Sequence, residues 1–496
     1  MKYKLYDVTD SRRASSARGA RGAIAAAHPS AADAGAQMLA RGGSAVDAAI
    51  AAQAVIAVVL PQAAGLGGDM LALVYDGGAV SAVNGTGLSP RGLTAAPATS
   101  GGTAVTVPGI ADGWLTLHAR WGRLPLSVVL EPAVRLAADG IEVDGELRAA
   151  VDAQRDRLTD GGAREWELLD IAVGGRWQQP ELAALLADLA TCGREAFYAG
   201  RAAAAIAAAV QRCGGALALD DLAAHDTPCP DPIAVQWRTG QVHVQPPTSQ
   251  GVLLAMALQK AEMQWDSELF GVDHALVDHI LIEIVGAAFT ARSECAAGAA
   301  LLDRPLDIDT ARASGRTGPR AYLHTAGVAV ADGDGHVVSS LISVFDDFGS
   351  GVYVPELGIV LNNRAAGFTD GANAAAPGKR PVHTLAPALS VGPDGVTALA
   401  TPGADGQVQT LLQVLAGSRT GTLVDAVTAP RWRSQDGELL MEESHPAAPS
   451  LAVRGHRVVT RPDGAGLFGS VVAAGVAETP FAIADWRRQT HCTGVS

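Results

Sequence analysis

His324-Thr325-Ala326-Gly327-Val328-Ala329-Val330-Ala331-Asp332-Gly333-Asp334-Gly335 marks an abrupt change of character in a chain of 496 residues. Residues 326–331 are a short apolar run, Asp332-Gly333-Asp334-Gly335 is a turn signal, and 337–345 is a second apolar run. The stretch therefore predicts two β segments joined as a hairpin. Upstream, about 298–324 is rich in Arg, Gly, Pro and Asp and has no apolar periodicity, which predicts an exposed linker. Thr325 stands where linker meets strand. Cleavage before it would free an α-amino group of pKa about 7.7–8.0, able to take the proton from the Thr325 hydroxyl as that oxygen attacks a carbonyl. The cut could be self-performed, the Thr325 oxygen attacking the His324 carbonyl to give an ester that water opens. The local pattern by itself favours a threonine that merely begins a strand.

Working outward, 30–40 has helical spacing and stops at Arg41-Gly42-Gly43, where glycine can take the left-handed conformation. Ser44-Ala45-Val46-Asp47 reads as a capping box for a strongly apolar helix to about Val59. Gly65-Leu66-Gly67-Gly68-Asp69 is a turn before a strand over 70–75. Further helices are expected at 201–210 and 274–294, and further strands at 358–361, 388–391 and 396–400.

Composition limits the function. Apolar residues make up 48% of the chain and charged residues 18%, which suits a packed core rather than disorder. The formal net charge is −14, against nucleic acid as a partner, since phosphate binding needs clustered Lys and Arg. The 5 cysteines are scattered without a C-x-x-C, so no disulfide framework or thiolate zinc site is expected. Ser11-Arg12-Arg13 lacks the apolar region of an export signal, and the run 48–60 is too short to span a bilayer and is interrupted by Gln53. A soluble, cytoplasmic protein with no membrane partner is the expectation. Serine-hydrolase, P-loop, zincin and dinucleotide motifs are absent. His274 and His279 are five apart, which does not set them on one helical face, and neither metal nor cofactor is expected.

Many ordered stretches resemble one family. They include His28-Pro29 with Ala34-Gly35, Arg41-Gly42-Gly43-Ser44-Ala45-Val46-Asp47-Ala48-Ala49, Gly65-Leu66-Gly67-Gly68-Asp69, Val107-Pro108-Gly109 and Phe197-Tyr198-Ala199-Gly200. Pro246-Pro247-Thr248-Ser249-Gln250-Gly251, Phe348-Gly349-Ser350-Gly351, Leu361-Asn362-Asn363, Gly378-Lys379-Arg380-Pro381 and Pro402-Gly403 continue the series. Together they resemble the γ-glutamyltransferase (glutathione hydrolase) family of N-terminal-nucleophile (Ntn) hydrolases along nearly the whole chain. The resemblance implies an α+β fold, the four-layer αββα sandwich, built as one composite domain from two autoprocessed chains. It puts the cleavage between His324 and Thr325, giving a large chain 1–324 and a small chain 325–496 from one precursor. It implies Thr325 as nucleophile, Ser343 as the supporting hydroxyl, and the backbone N–H groups of Gly403 and Ala404 as oxyanion hole. A dimer of heterodimers is left open.

Three departures bear on the substrate. No arginine stands near Thr86 to clamp an α-carboxylate, no acidic residue follows Asn362-Asn363, and His383-Thr384 replace a pair of serines. An unpaired charge in a desolvated pocket costs several kcal/mol, so a γ-glutamyl donor should bind poorly. Asn363-Arg364-Ala365-Ala366-Gly367-Phe368 and Arg380-Pro381-Val382-His383-Thr384 instead resemble the branch containing oxamate amidohydrolase. Arg364 is then a clamp for a small-molecule carboxylate substrate, with His383 and Thr384 adding hydrogen bonds, or else a partner in an internal ion pair. The leading expectation is a hydrolase of a small carboxylate-bearing acyl or amide substrate acting through a Thr325 acyl-enzyme. The alternatives are hydrolytic C–C cleavage of an oxalyl-type intermediate in antibiotic (alkylproline) biosynthesis, γ-glutamyl transfer to a peptide or amine, and an uncleaved pseudoenzyme, which Ala326-Gly327 and His324 suggest.

Overall fold

The computed structural model describes residues 12–94, 96–265, 274–315 and 325–496. The predicted hairpin forms: Ala326–Asp332 and Val337–Ser343 pair antiparallel, with Ile342 opposite Ala326. Both strands are buried along their full length and sit in the middle of a six-stranded sheet. Its order is His491–Val495, Gly22–Ala26, Ala326–Asp332, Val337–Ser343, Asp69–Tyr75, Val80–Gly85. Segments from either side of Thr325 thus alternate within one sheet, which makes the two halves of the sequence a single composite unit.

Alternate residues of these strands face opposite ways, as pleating requires. Ile24, Val328, Val330, Val338 and Ile342 pack outward under the helices Pro29–Ala40 and Ala45–Val59. Ala23, Ala25, Ala329, Ala331 and Leu341 pack inward against Leu389, Ala398, Ala400, Val472 and Ala474 of a seven-stranded sheet. The far face of that second sheet, including Val242, Ala388 and Leu399, is covered by Gly251–Trp265, His274–Phe289 and Gly406–Gly417. The result is helix, sheet, sheet, helix, as the resemblance implied.

The helix Ala45–Val59 opens with the Ser44/Asp47 capping box and is buried on every side. An all-round apolar helix belongs in a core, and its one interior amide is fully engaged in positioning. Gln53 donates to Ser340 Oγ (2.6 Å) and accepts from the Trp114 indole (2.7 Å), which locks the strand ending at Ser343 to the helix. Among the described residues no single helix is long and apolar enough to cross a membrane. Gly68 lies where the 65–69 turn crosses the end of that strand; a Cβ there would stand 2.4 Å from the Ser343 carbonyl oxygen.

Three expectations need correction. The helix beginning at His274 ends at Phe289, and Arg292–Asp303 forms 3₁₀ turns with Cys295, Gly298 and Leu301 buried. The linker is therefore anchored at intervals and not wholly exposed from 298: Gly298, Leu301 and Leu306 are buried between exposed residues at 299–300 and 303–305, and no buried residue follows over 307–315. Apolar anchors spaced irregularly in an Ala- and Gly-rich stretch leave no period to read. The remainder of the linker, His324 included, lies outside the described residues. The strand expected at 358–361 contracts to Ile359–Val360, paired with Tyr353–Val354.

Gln53→Leu should lower stability by about 1–3 kcal/mol, because it strands the buried Trp114 indole donor. A thermal or denaturant midpoint equal to that of the wild type would show that the amide is not needed to hold the sheet.

Candidate active site

The hairpin brings two hydroxyls together. Thr325 immediately precedes one strand and Ser343 ends its neighbour; Thr325 Oγ1 donates to Ser343 Oγ at 3.5 Å, and both residues are buried. Ser343 Oγ also accepts from the Phe345 N–H (2.9 Å), and Phe345 has a left-handed backbone (φ 85°). The chain turns sharply out of the sheet at this point. Thr325 borders a cavity of about 30 Å³ that it shares with Gln62, Glu146, Pro402 and Arg488. Such a space holds a water molecule. Wider clefts of about 450 Å³ beside Trp166 and about 220 Å³ beside Trp237 contain none of the site residues named from sequence.

The Phe345 ring carries the next element. The Arg364 guanidinium lies 3.8 Å above its centroid and is only 1% exposed. Arg364 is aimed by its backbone: Asn362 Oδ1 accepts from the Arg364 N–H (3.0 Å) and from Thr106, while Asn362 Nδ2 donates to the Gly67 carbonyl (3.0 Å). The guanidinium is under-used. Nη2 reaches Thr384 Oγ1 at 3.5 Å, Nε stands 3.7 Å from Asp69 Oδ2, and neither Nε nor Nη1 makes a hydrogen bond. Burial lowers the Arg364 pKa to about 10 against the opposing pull of Asp69, so the group stays cationic at neutral pH.

His383 fixes Asp69 from the other side. Its Nδ1 accepts from the Leu385 N–H (3.1 Å), so the ring proton lies on Nε2, which donates to Asp69 Oδ2 (3.1 Å). Burial, with Arg364 nearby, depresses the His383 pKa to about 4, outweighing the pull of Asp69; the ring is neutral at pH 7. His383 therefore supports a carboxylate and faces no free acceptor of its own. Arg364 keeps two buried donors without a hydrogen bond among the described residues; Asp69 Oδ2 stands 3.7 Å from Nε, and Asp346 and Asp405 add to the negative field around the cation. Arg364 thus has an internal ion-pair neighbour in Asp69 and two further donor atoms without a hydrogen bond among the described residues. A buried unpaired donor is costly unless something fills it. Thr86, where an arginine was missing, turns its hydroxyl onto Asn84 Oδ1 (2.5 Å) and offers no cation.

The fourth part is the turn at Pro402-Gly403-Ala404. Gly403 (φ 121°) and Ala404 (φ 48°) both have left-handed backbones. Their carbonyls are committed: Gly403 to Arg433 Nη2 (3.1 Å) and the Gly406 N–H (2.8 Å), Ala404 to Gln250 Nε2 (2.8 Å) and the Gln407 N–H (3.0 Å). Their own N–H groups meet no acceptor among the described residues. With the carbonyls engaged, these two N–H groups are the donors the turn leaves without an acceptor among the described residues. Gln250 Nε2 also donates to the Thr384 carbonyl (2.6 Å), tying this turn to the Arg364 side of the site.

Thr325 is thus paired with Ser343, Arg364 with Thr384, and His383 joins through Asp69. Gly403 and Ala404 connect through Gln250, and Phe345 links the hydroxyl pair to the guanidinium. Asp69, Gln250 and Phe345 were not singled out by sequence reasoning. The first two stood inside recognised stretches, Gly65-Leu66-Gly67-Gly68-Asp69 and Pro246-Pro247-Thr248-Ser249-Gln250-Gly251, and that was the available signal.

Comparison with known proteins agrees with this architecture. The sequence profile of the family described as gamma-glutamyltranspeptidase matches residues 31–306 and 311–495. The chain is 32% identical over 450 residues to the glutathione hydrolase-like YwrD proenzyme of Bacillus subtilis, covering 82% of this chain and 84% of that protein. It is 32% identical over 452 residues to the oxamate amidohydrolase proenzyme of Klebsiella pneumoniae, covering 83% and 84% respectively. The crystal structure of cephalosporin acylase from Bacillus halodurans superposes with a TM-score of 0.86 at 28% identity, covering 100% of this chain and 99% of that one. With that fold, and a profile match spanning most of its length, the chain belongs to the gamma-glutamyltranspeptidase family of Ntn hydrolases.

Proposed function

We propose that the chain is cleaved between His324 and Thr325 and hydrolyses a small amide that carries a carboxylate, through an acyl ester on Thr325. The observation that carries this reading is the buried Arg364 cation with two unpartnered donors, stacked on Phe345 two residues beyond Ser343. A fixed planar fork of donors suits a carboxylate. The 32% identity to a protein named oxamate amidohydrolase supports an oxamate-like substrate.

The chemistry then follows in order. In the precursor, Thr325 Oγ1 attacks the His324 carbonyl and the peptide becomes an ester, which frees the Thr325 amino group; water then opens the ester, leaving a carboxylate on His324 and restoring the Thr325 hydroxyl. In turnover, Arg364 takes the substrate carboxylate and orients the adjacent amide carbonyl toward Thr325. The neutral amino group accepts the hydroxyl proton as Oγ1 attacks, and the Gly403 and Ala404 N–H groups take the charge that develops on the carbonyl oxygen. The proton passes to the leaving nitrogen, ammonia departs, and water hydrolyses the oxalyl-type ester. For oxamate the sum is one water consumed, with oxalate and ammonia formed. Ser343 holds the Thr325 hydroxyl in position.

Arg364→Ala should raise KM for oxamate by about 100-fold, on the order of the 2–5 kcal/mol lost when one side of a buried charge pair is removed. Unchanged kinetics would take Arg364 out of the site, and turnover of γ-glutamyl-p-nitroanilide exceeding that of oxamate would overturn the substrate class. A second outcome concerns pH. kcat/KM should rise between about pH 6.5 and 9, with its midpoint near the α-amino pKa of about 7.7–8.0, as that group loses its proton. His383, with its pKa near 4, is already neutral across that window, and Arg364, near 10, is still charged. A profile flat from pH 6 to 9 would exclude the amino group as base.

A further inference from the structure

Away from Thr325, three metal-ligating side chains converge where the linker leaves the core. His279 and Glu283 are four residues apart on the helix His274–Phe289 and so share a face. His456 lies on the turn after the helix Ala448–Val453. His279 Nδ1 stands 2.8 Å from His456 Nε2, and the ligand atoms of all three residues lie within 4.8 Å of one another. His279 and Glu283 are buried, and His456 is half-buried at the opening.

The hydrogen bonds around the cluster orient it. His279 Nε2 is 2.9 Å from the Asp309 carbonyl, which can only accept, so the proton is on Nε2 and the Nδ1 lone pair faces His456 and Glu283. A ring N–H given to a backbone carbonyl is the arrangement that fixes the tautomer of metal-bound imidazoles. Glu283 Oε1 accepts from the Ser314 N–H (3.1 Å), and Arg454 donates to the Ala311 carbonyl (3.4 Å), so the same corner holds the linker over 309–314.

We propose that His279, Glu283 and His456 form a binding site for a divalent transition metal of the zinc class, with two neutral imidazoles and one carboxylate as ligands and the remaining position open to water. Tetrahedral bonds of about 2.0–2.1 Å set neighbouring ligand atoms about 3.3 Å apart, so the two imidazoles need to separate by about half an ångström. His456 gives up the Nε2 proton and takes one at Nδ1 through solvent, and the protein's proton count is unchanged. Two ligands precede Thr325 and one follows it, so a bound ion would pin the end of the large segment to the small one.

The test is titration of the chelator-treated full-length protein with Zn²⁺ by calorimetry and with Co²⁺ by absorption spectroscopy, alongside His456→Ala, Glu283→Gln and the exposed-site control His491→Ala. The proposal expects one ion per chain, an intense visible Co²⁺ band of four- or five-coordinate type, and a rise in thermal midpoint with Zn²⁺. It also expects at least a 100-fold loss of affinity in the two ligand variants and none in the control. Zn²⁺ bound equally by wild type and His456→Ala, or a weak Co²⁺ band typical of the hydrated ion, would overturn it. Circular dichroism of the variants separates loss of a ligand from loss of fold.

Discussion

A strand hydrogen-bonded along both edges has nowhere to move, and the rest of the site depends on that constraint at Ala326–Asp332. Gly22–Ala26 pairs with one edge and Val337–Ser343 with the other. The first residue before the strand, Thr325, is thereby held against the last residue of its neighbour, Ser343, whatever happens to the chain upstream. The constraint is reinforced from below, where Gln53 grips Ser340, and from above, where Gly68 lets the 65–69 turn cross the strand end. A cut before Thr325 would leave these contacts in place, because the sheet interleaves segments from both sides of it.

Electrostatics define the other half of the site. Asp69 receives His383 and stands near Arg364, so a buried carboxylate balances a buried guanidinium while a neutral imidazole holds the carboxylate in orientation. The separation of 3.7 Å between Arg364 Nε and Asp69 is long for a hydrogen bond, and the cation is left with donors pointing elsewhere. A tightly closed pair would give a purely structural buried salt bridge. The proposed binding of a substrate carboxylate depends on this pair being open, since a closed pair would leave Arg364 no donor to offer.

Local chemistry was legible and distant partnership was not. The hairpin, the Ser44/Asp47 capping box and the helix stopping at Ala40, before Arg41-Gly42-Gly43, follow from turn residues and periodicity within a dozen positions. Ser343 came from the family resemblance, and the hairpin register, with Ile342 opposite Ala326, sets it beside Thr325. Asp69 could not be given a role from sequence, since its partners Arg364 and His383 lie about three hundred residues away and come together only through the sheet. Gln250 is similar, bridging Thr384 and Ala404 from a distant segment. The 3₁₀ turns of Arg292–Asp303 escaped for a different reason: an Ala- and Gly-rich stretch carries no helical period, and its buried anchors are single residues. The pairing of His279 with Glu283 was readable as an i, i+4 spacing, but His456 was not, and two ligands do not make a site.

The central claim is that Thr325 acquires a free amino group. The direct measurement is intact mass of the purified wild type beside Thr325→Ala. Two fragments meeting between His324 and Thr325 are expected in the wild type and one uncut chain in the variant. A wild type that stays a single full-length chain, freshly purified and after prolonged incubation, would contradict it.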